Sequence, residues 1–531
     1  MTTQTVTSTF KVHVNQVLIR VVVSDAHGNA VGNLRREDFQ ILDKGKPQVL
    51  TAFSVESANP KPEAPGSRPS GEVAEEAANR PVFPERYIAY VFDDLHLEMD
   101  DLMHVKRALE GQFQNILRPT DRVAILTTSS HVQLDFTDDR ARLSEALARV
   151  QPRPLREQES TQCPYMSYYL ADQIAGHHDP DALNWAIQEA YACKNGRITA
   201  SEAQGMALAS ALENYTIGDA ETRAALRVLT ECSGRLKATL GLRSIVFVSS
   251  GFHMHDQYAE LENLIDRASR SGVIIHALDP RGLWIETNFR ADRRITPRIG
   301  VDYRRDSVHE QDNILGDIAD GTGGSWFHNN NDLAEGARRT AQTPEFVYEL
   351  AFSPQNLKLD GSFHALQVTV KGPSSYRIVA RRGYYAPRKL ADPVEAAQRE
   401  VEEALFSQEE LHDIPVSVHT QFFRSGEDAA SLSVLARVDL GHVPFRRETD
   451  RNRDQLTVVT GIFDRNGRFV SGEQKLIDFR LRDQTLHGEL RNGVVMKATF
   501  TVKPGGYLVR VVVRDAEGQQ LSASNGSVEI P

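Results

Sequence analysis

The chain has 531 residues, of which 40% are hydrophobic and 25% are charged, an ordinary composition for a globular protein. This length exceeds what one hydrophobic core serves and predicts about three domains. The 61 Lys and Arg residues against 72 Asp and Glu residues leave a net charge of −11, which argues against nonspecific binding to nucleic acid or to an anionic membrane surface. We therefore expect no nucleic-acid partner.

No stretch of the sequence approaches the ~20 consecutive apolar residues that cross a bilayer, so we predict no membrane span. The first residues, MTTQTVTSTFKVHV, have neither a basic start nor an apolar segment and do not predict a signal peptide. From these residues two locations stay open. The protein is either cytoplasmic, or it is exported by a signal that the given sequence does not contain.

The N-terminal segment, residues 1–56, has the pattern of β-strands. VLIRVVVSDAHGNAV, starting at Val17, is a run of β-branched residues closed by an Asp-x-x-Gly turn, and DKGK at residues 43–46 marks a second turn. Residues 57–82 are rich in Pro, Ser, Gly, Ala and Glu and cannot bury enough apolar surface to order themselves. We predict the first part of a β-sandwich followed by a linker.

Residues 83–353 alternate between buried strands and helices. YIAYVFD, RVAILTT, RSIVFVSS and GVIIHALD are short, nearly continuous apolar runs, as in parallel strands that are covered on both faces of a sheet. Segments with helical spacing separate them. This alternation predicts a doubly wound, Rossmann-like α/β domain, in which ligands bind at the carboxyl ends of the strands.

A segment at about residues 151–220 interrupts this alternation and is predicted to be a mostly helical insertion. It contains Cys163 and Cys193, and Cys232 follows it. The cysteines form no CxxC motif, so a zinc knuckle is not expected. We predict a disulfide between Cys163 and Cys193 if the protein is exported; three reduced thiols are the alternative.

After the α/β domain the sequence returns to the alternation that is typical of β-strands. Residues 354–388 are predicted to supply the return strands of the first β-sandwich, so that the α/β domain is inserted between its two halves. Residues 389–412 have the pattern of an amphipathic linker helix. Residues 413–531 are predicted to form a C-terminal β-sandwich.

Polar side chains follow the predicted strands at their carboxyl ends, where an α/β sheet binds its ligands. The candidates for this ligand edge are Asp93, Asp94, His96, Ser249, Ser250 and Asp279. The acidic pair also suits a structural role, capping the helix that is predicted to begin near Asp100.

Enzymatic chemistry has one weak candidate. Ser250 lies at a strand-to-helix turn, as the nucleophile of a G-x-S-x-G elbow does, but the first Gly of that motif is missing and chain order assigns no catalytic His. The sequence contains neither a P-loop nor an HExxH motif. A hydrolase is therefore an alternative to a binding protein and not the first expectation.

Four phrases, in this order along the chain, carry a family resemblance: VNQVLIRVVVSDAHGNAVGNLRREDFQILDKGKPQ, DRVAILTTSSHVQLDFTDDRARLSEALARV, IADGTGGSWFHNNNDL and YELAFSPQNLKLDGSFHALQVTVKGPSSYRIVARRGYYAP. They span residues 14–387. On these phrases the chain resembles the von Willebrand factor A-related family of bacterial proteins. The resemblance implies a von Willebrand A domain with a flanking β-sandwich, export to the periplasm or cell surface, and binding of a protein partner rather than catalysis.

The resemblance also implies where a metal would bind. The adhesion site of von Willebrand A domains has Asp-x-Ser-x-Ser after the first strand, a Thr from a later loop and an Asp after the fourth strand, and such oxygen ligands suit Mg²⁺ or Ca²⁺. Asp93 stands at the first Asp, but Leu95 and Leu97 replace the serines. Ser249 and Ser250 stand where Thr-Asp is usual. We therefore predict a degenerate metal-ion-dependent adhesion site without a cofactor.

Two metal-binding alternatives stay open. For Mg²⁺ or Ca²⁺ the ligands would be Asp93, Asp94, Ser250 and Asp256, with Ser160 and Thr161 as positional candidates for the loop Thr. For Zn²⁺ or another transition metal, which imidazole and carboxylate suit better, the remodelled set would be Asp94, His96, Glu98, His253, His255 and Asp256. The competing interpretation is that these histidines belong to a polar surface rim.

The expected function is a non-catalytic protein-binding module of the adhesion type that acts outside the cytoplasm. It would use the carboxyl edge of the α/β sheet and the helical insertion as its recognition surface. A hydrolase or metalloenzyme with a remodelled Asp/His/Ser cluster at the same edge is the second hypothesis. A structural assembly component, whose strand edges pair with a partner, is the third.

Overall fold

The computed structural model describes most of the chain. The described residues are 17–25, 30–57, 84–115, 117–155, 163–283, 298–341, 346–354, 362–373, 376–381, 383–386, 393–406, 410–424, 426, 428–489 and 493–531. The chain folds as two compact units, one made of Met1–Ala64 and Thr343–Glu400, the other of Pro65–Gln342 and Val401–Pro531. The predicted linker, residues 57–82, lies outside the described residues except for Ser57.

The strands and helices have the following bounds. The strands are β1 Val17–Ser24, β2 Phe39–Asp43, β3 Lys46–Gln48, β4 Leu50–Ser57, β5 Arg86–Phe92, β6 Asp121–Thr127, β7 Gln133–Thr137, β8 Leu242–Val248, β9 Val273–Leu278, β10 Trp326–Phe327, β11 Phe346–Phe352, β12 Phe363–Val370, β13 Arg377–Ala380, β14 Gly383–Tyr385, β15 Leu411–His412, β16 Val416–Arg424, β17 Ala430–Val438, β18 Arg446–Glu448, β19 Arg451–Asp464, β20 Phe469–Leu481, β21 Val494–Val502, β22 Gly505–Asp515 and β23 Leu521–Ile530. The helices are α1 Met99–Asn115, α2 Arg140–Arg149, α3 Tyr168–Ala175, α4 Pro180–Cys193, α5 Ala200–Lys237, α6 Tyr258–Arg270, α7 Arg298–Thr322, α8 Leu333–Ala341 and α9 Pro393–Phe406.

The first unit contains two four-stranded antiparallel sheets, each built from both ends of its sequence. Their strand orders are β13-β1-β11-β4 and β14-β12-β2-β3. Side chains from both sheets, such as Ile19, Ile41 and Leu350, form one hydrophobic cluster. The strands before and after the α/β segment therefore share one core.

The turn between β2 and β3 shows how local chemistry sets register. Lys44 and Gly45 both have positive φ, 47° and 77°, and Asp43 pairs with Lys46 across the strands. Positive φ at both central residues is the geometry of a two-residue type I′ hairpin, which favours Gly. The DKGK phrase therefore forms the turn that the sequence indicated.

In the second unit, the segment after Arg86 forms a six-stranded sheet with the order β10-β9-β8-β5-β6-β7. The strands are parallel except for the edge strand β7, which runs antiparallel to β6. Alternate residues of β5 enter two different hydrophobic clusters: Ala89 and Val91 pack with side chains of α5, α6 and α7, and Ile88 and Tyr90 with side chains of α1, α2 and α8. Helices thus cover both faces, which explains why the strand sequences are apolar at every position.

The helical insertion was predicted to end at about residue 220. α5 is one continuous helix of 38 residues that runs through this position. A capping box of Thr199 and Glu202 begins the helix. Gly218 lies within this helix. Its missing side chain allows Tyr168 to pack closely against it, because a Cβ at this position would lie 2.2 Å from the Tyr168 ring. Neither α5 nor any other helix in the described part of the chain is long and apolar enough to cross a membrane.

The cysteines lie in and beside this insertion. The structure joins Cys163 and Cys193 by a disulfide, with their Cα atoms 6.0 Å apart and a sequence separation of 30. Cys232 is a free, buried thiol on α5. Burial raises the pKa of the Cys232 thiol to about 12, so this cysteine stays protonated and unreactive.

The C-terminal strands belong to the same compact unit as the six-stranded sheet. They form antiparallel sheets with the orders β15-β23-β22-β19-β18, in which β20 also pairs with β19, and β16-β17-β21. A shared hydrophobic cluster joins them to the α/β segment through Leu240, Leu405, Phe463 and Val512. The hydroxyl of Tyr87 also donates to the backbone oxygen of Asn466.

Two buried carboxyl groups lie close together in the C-terminal strands, where the backbone N–H of Glu517 lies within hydrogen-bond distance of both. Asp454 is 1% exposed and Asp515 is fully buried. Asp515 accepts the backbone N–H groups of Glu517 and Gly518 at 2.9 and 2.8 Å. Burial, and then the hydrogen bond with Asp515 and its charge, raises the pKa of Asp454 to about 7.

The raised pKa makes stability depend on pH. Because the folded chain keeps a proton on Asp454 that the unfolded chain loses near pH 4, this contribution to stability is present at low pH and is lost as pH rises toward 7. Asp454→Asn should remove this loss. The free energy of unfolding of the variant, relative to that of the wild type, should therefore rise by about 1–3 kcal/mol from pH 5 to pH 8. Urea denaturation at the two pH values measures the gain.

The matched control is Asp478→Asn, because the Asp478 side chain is 43% exposed and lies in the same group of strands. Its pH dependence should follow that of the wild type. Equal pH dependence of Asp454→Asn and the wild type would contradict the raised pKa of Asp454.

The disulfide supports a second prediction. Replacing Cys163 and Cys193 together by Ser should lower the free energy of unfolding by about 2–4 kcal/mol, because the unfolded chain loses the constraint of the closed loop. Thermal unfolding compares the two proteins, and peptide mapping without reductant should find Cys232 as the free thiol of the wild type. Three free thiols would contradict the pairing.

Candidate functional site

The site lies where two neighbouring strands of the six-stranded sheet end. β5 and β8 are parallel, with Phe92 opposite Val248. The next residues, Asp93 and Ser249, are therefore brought side by side. The order of the strands reverses here, because β6 lies on one side of β5 and β8 on the other. Crevices at such a reversal, outside the carboxyl ends of the strands, are where α/β sheets bind ligands.

The carboxylate of Asp93 is fully buried and hydrogen-bonded at both oxygens. The hydroxyl of Thr128 lies 3.0 Å from Oδ1, and the hydroxyl of Ser249 donates to Oδ2 at 2.6 Å. Nδ1 of His96 lies 2.9 Å from each oxygen, and because a carboxylate only accepts, this nitrogen carries a proton. Both oxygens of Asp93 are therefore hydrogen-bonded to protein donors.

Asp94, which is 1% exposed, is held by the loop after β6. The backbone N–H of Ser129 donates to Oδ1 at 2.8 Å, and its hydroxyl donates to Oδ2 at 2.5 Å. The hydroxyl of Thr128 lies 3.0 Å from an oxygen of Asp94 and 3.0 Å from an oxygen of Asp93. One hydroxyl group therefore links both aspartates to β6.

The loop after β5 alternates buried leucines with a polar side chain. Leu95 and Leu97 are each 3% exposed. The side chain of His96 between them is 6% exposed and faces Asp93. The hydroxyl of Ser250 donates to the backbone oxygen of His96 at 2.8 Å. The side chain of this loop that is hydrogen-bonded to Asp93 is thus an imidazole and not a hydroxyl group.

Asp279, at the end of β9, forms an ion pair with an arginine. Nε and Nη2 of Arg281 lie 2.9 and 2.7 Å from its two oxygens, and Arg281 also pairs with Asp312. The surroundings are acidic: burial, and then the charges of Glu98 and Asp279, raises the pKa of Asp101 to about 6. Asp279 is therefore matched by a cation of the chain itself.

The loop after β8 directs its other candidate residues toward the helical insertion. Asp256 pairs with Arg223 of α5 at 2.9 Å. Nε2 of His253 lies 2.9 Å from Asp172 Oδ2, and Nδ1 of His255 lies 2.7 Å from Asp172 Oδ1. The structure thus brings both histidines to Asp172 of α3.

The predicted metal ligands are divided among different partners. Asp93 and Asp94 share the hydroxyl of Thr128. Ser250 bonds to a backbone oxygen and Asp256 to an arginine. In the described part of the chain no contact joins all four, and the Mg²⁺ or Ca²⁺ set stays a prediction.

Sequence reasoning missed Thr128, Ser129 and Asp172. The signal for the first two was present, because TTSS follows the apolar run RVAIL and β6 is the neighbour of β5. The positional candidates for the loop Thr, residues 160 and 161, lie outside the described residues. Asp172 had no such signal, because it lies inside a helix of the insertion.

Comparisons with known proteins add only weak similarities. No protein-family model matches the chain, and no curated protein matches it significantly. The chain is similar to a solved aerotolerance-related membrane protein from Bacteroides fragilis, with 14% identity and a TM-score of 0.23 over 48% of this chain and 98% of that chain. It is also similar to the conserved hypothetical protein BatB from Bacteroides thetaiotaomicron, with 13% identity and a TM-score of 0.23 over 48% and 96%. These TM-scores carry no argument about function, and the von Willebrand A resemblance stays a prediction.

The shared hydroxyl of Thr128 can be tested directly. Thr128→Val keeps the shape of the side chain but removes the single hydroxyl proton that the carboxylates of Asp93 and Asp94 share. Because an unsatisfied buried acceptor costs about 1–3 kcal/mol, the variant should lose about that free energy of unfolding. Chemical denaturation at pH 7 measures the loss.

Thr230→Val is the matched control. The Thr230 hydroxyl on α5 bonds only to a backbone oxygen of its own helix, that of Leu226 at 2.8 Å. This change should cost less than about 1 kcal/mol, because the helix oxygen keeps its backbone donor. Equal losses in the two variants would show that Thr128 is not a shared donor.

Proposed function

We propose that the chain is a non-catalytic protein-binding module that recognises its partner at the carboxyl edge of the six-stranded sheet without a bound metal. The observation that supports this is the contact set of Asp93. A bound cation would need the lone pairs of this carboxylate, and those lone pairs accept from His96, Thr128 and Ser249. The two leucines beside His96 offer no oxygen ligand.

We interpret this arrangement as a degenerate metal-ion-dependent adhesion site. The resemblance to von Willebrand A-related proteins supplies the comparison, since Asp93 stands at the first Asp of their site. The position of the residues supports it further, because they lie at the reversal of strand order where such sheets bind ligands. The carboxylate that once held a cation would now hold the loop itself.

Exposed apolar side chains beside this edge supply a recognition surface. Met99 and Met103 lie four residues apart at the start of α1, so they face the same side of the helix, and they are 53% and 43% exposed. Methionine adapts its shape to partners and is common at protein-binding surfaces. With the exposed Glu98 they form what we call the Met99 surface.

We further propose that the protein acts outside the cytoplasm, in the periplasm or at the cell surface. The disulfide between Cys163 and Cys193 supports this location, because disulfides persist in oxidising compartments and are rare in the cytosol.

The hydrolase hypothesis receives less support from the geometry. In the described part of the chain, no imidazole nitrogen is hydrogen-bonded to the hydroxyl of Ser249 or Ser250, as a nucleophile and its base require. Ser249 donates to Asp93, and Ser250 donates to a backbone oxygen. A structural assembly role remains the third hypothesis.

A partner-binding experiment tests the proposal. A protein captured from an envelope extract of the source organism is identified, purified and titrated against the chain in excess EDTA and in excess Mg²⁺. The dissociation constant should be equal in the two buffers. Met99→Asp with Met103→Asp should weaken binding about tenfold or more, because it places charge in an apolar contact.

The matched control is Leu476→Asp with Val495→Asp, which changes two side chains of similar exposure, 60% and 58%, in the C-terminal strands. This control should bind as the wild type does. Binding that EDTA abolishes and Mg²⁺ restores would contradict metal-free recognition, and equal weakening by both double variants would contradict the Met99 surface.

A further inference from the structure

A cluster of one carboxylate and several imidazoles lies between α3 and the loop after β8. Asp172 on α3 is 1% exposed. Its Oδ1 lies 2.7 Å from Nδ1 of His255, and its Oδ2 lies 3.4 Å from Nε2 of His177. In the described part of the chain, Asp172, His177 and His255 form a group whose ligand atoms all lie within 4.8 Å of one another.

The spacing of these atoms fits ligands of one metal ion. Two ligands at about 2.1 Å from Zn²⁺, at an angle of about 90–110°, are about 3.0–3.4 Å apart. The distance of 3.4 Å from Asp172 Oδ2 to His177 lies in this range. The distance of 2.7 Å from Asp172 Oδ1 to His255 lies about 0.3 Å below it, so a shared ion requires these two groups to move apart by that amount.

Two polar atoms of the cluster lack a hydrogen-bond partner. Asp172 Oδ1 and His255 Nδ1 are buried from solvent and make no hydrogen bond in the described part of the chain, although they lie 2.7 Å apart. A buried acceptor without a partner is costly, and a cation supplies the missing partner for both atoms at once.

The charge around the cluster also favours a cation. Glu310 Oε2 lies 3.4 Å from Nδ1 of His253. Negative charge therefore extends beyond Asp172 itself.

His253 and Gly176 hold the carboxylate in position. Nε2 of His253 is hydrogen-bonded to Asp172 Oδ2 at 2.9 Å, and hydrogen bonds of this kind orient metal ligands. A Cβ at residue 176 would lie 2.3 Å from Asp172 Oδ1 and 3.0 Å from Cε1 of His255. A glycine thus keeps open the space between the two ligands.

We propose that Asp172, His177 and His255 bind a divalent transition-metal ion, and that the ion is Zn²⁺, which suits two imidazoles and a carboxylate. Three protein ligands leave one position open. The His177 side chain is 57% exposed, so this position faces solvent and takes a water molecule. The ion joins the helical insertion to the loop after β8. None of its three ligands belongs to the predicted Mg²⁺ or Ca²⁺ set around Asp93.

Calorimetric titration of the full chain, without an affinity tag and after treatment with a chelator, tests the site with ZnCl₂ as the probe. The wild type should bind one equivalent of Zn²⁺. His177→Ala and His255→Ala should each weaken binding about tenfold or more, because each removes one of three ligands. No saturable binding by the wild type would overturn the proposal.

His178→Asn is the matched control. His178 is the next residue after His177, but its Nδ1 faces the backbone oxygen of Ile174 at 3.4 Å, and its φ of 56° is a conformation that Asn tolerates. This variant should bind Zn²⁺ as the wild type does. Loss of affinity equal to that of His177→Ala would overturn the proposed ligand set.

Thermal unfolding supplies a second readout that does not depend on the heat of binding. Zn²⁺ should raise the melting temperature of the wild type more than that of His177→Ala, since a ligand stabilises the state that binds it in proportion to its affinity. His177 is exposed, so its replacement should leave the fold intact. Equal stabilisation of the two proteins would overturn the site.

Discussion

Two adjacent buried carboxylates, Asp93 and Asp94, are the interaction on which the rest of the candidate site depends. Burying unpaired charge costs several kcal/mol, and here hydrogen-bond donors from the loops after β5, β6 and β8 offset that cost. The same hydrogen bonds tie the central strand to both of its neighbours. They therefore position the carboxyl edge of the sheet and also use the lone pairs that a metal would need.

The two buried aspartates Asp93 and Asp172 differ in whether their carboxylate oxygens are hydrogen-bonded. At Asp93 each oxygen faces a protein donor. At Asp172, one oxygen and one nearby imidazole nitrogen lack a hydrogen bond. A cation gains little at the first site and satisfies two atoms at the second. On this reasoning, the proposed degenerate adhesion site and the proposed zinc site are different places with different ligand chemistry, and recognition at one does not require metal at the other.

Structural features that depend on neighbouring residues could be predicted from the sequence. Features that depend on contacts between distant residues could not. The apolar runs and the DKGK turn could be recognised because burial on both faces and positive φ each leave a local signature. The length of α5 could not be predicted, because the close packing of Tyr168 against Gly218 within this helix joins residues 50 positions apart in the sequence. The partnership of His253 with Asp172 joins residues 81 positions apart, and no local pattern reports it.

A crystal structure of the chain grown in millimolar Mg²⁺ tests the central claim most directly. The account predicts that Nδ1 of His96 and the hydroxyls of Thr128 and Ser249 remain on the Asp93 carboxylate, with no ion beside it. An ordered Mg²⁺ ion on an oxygen of Asp93, with His96 displaced, would contradict the account.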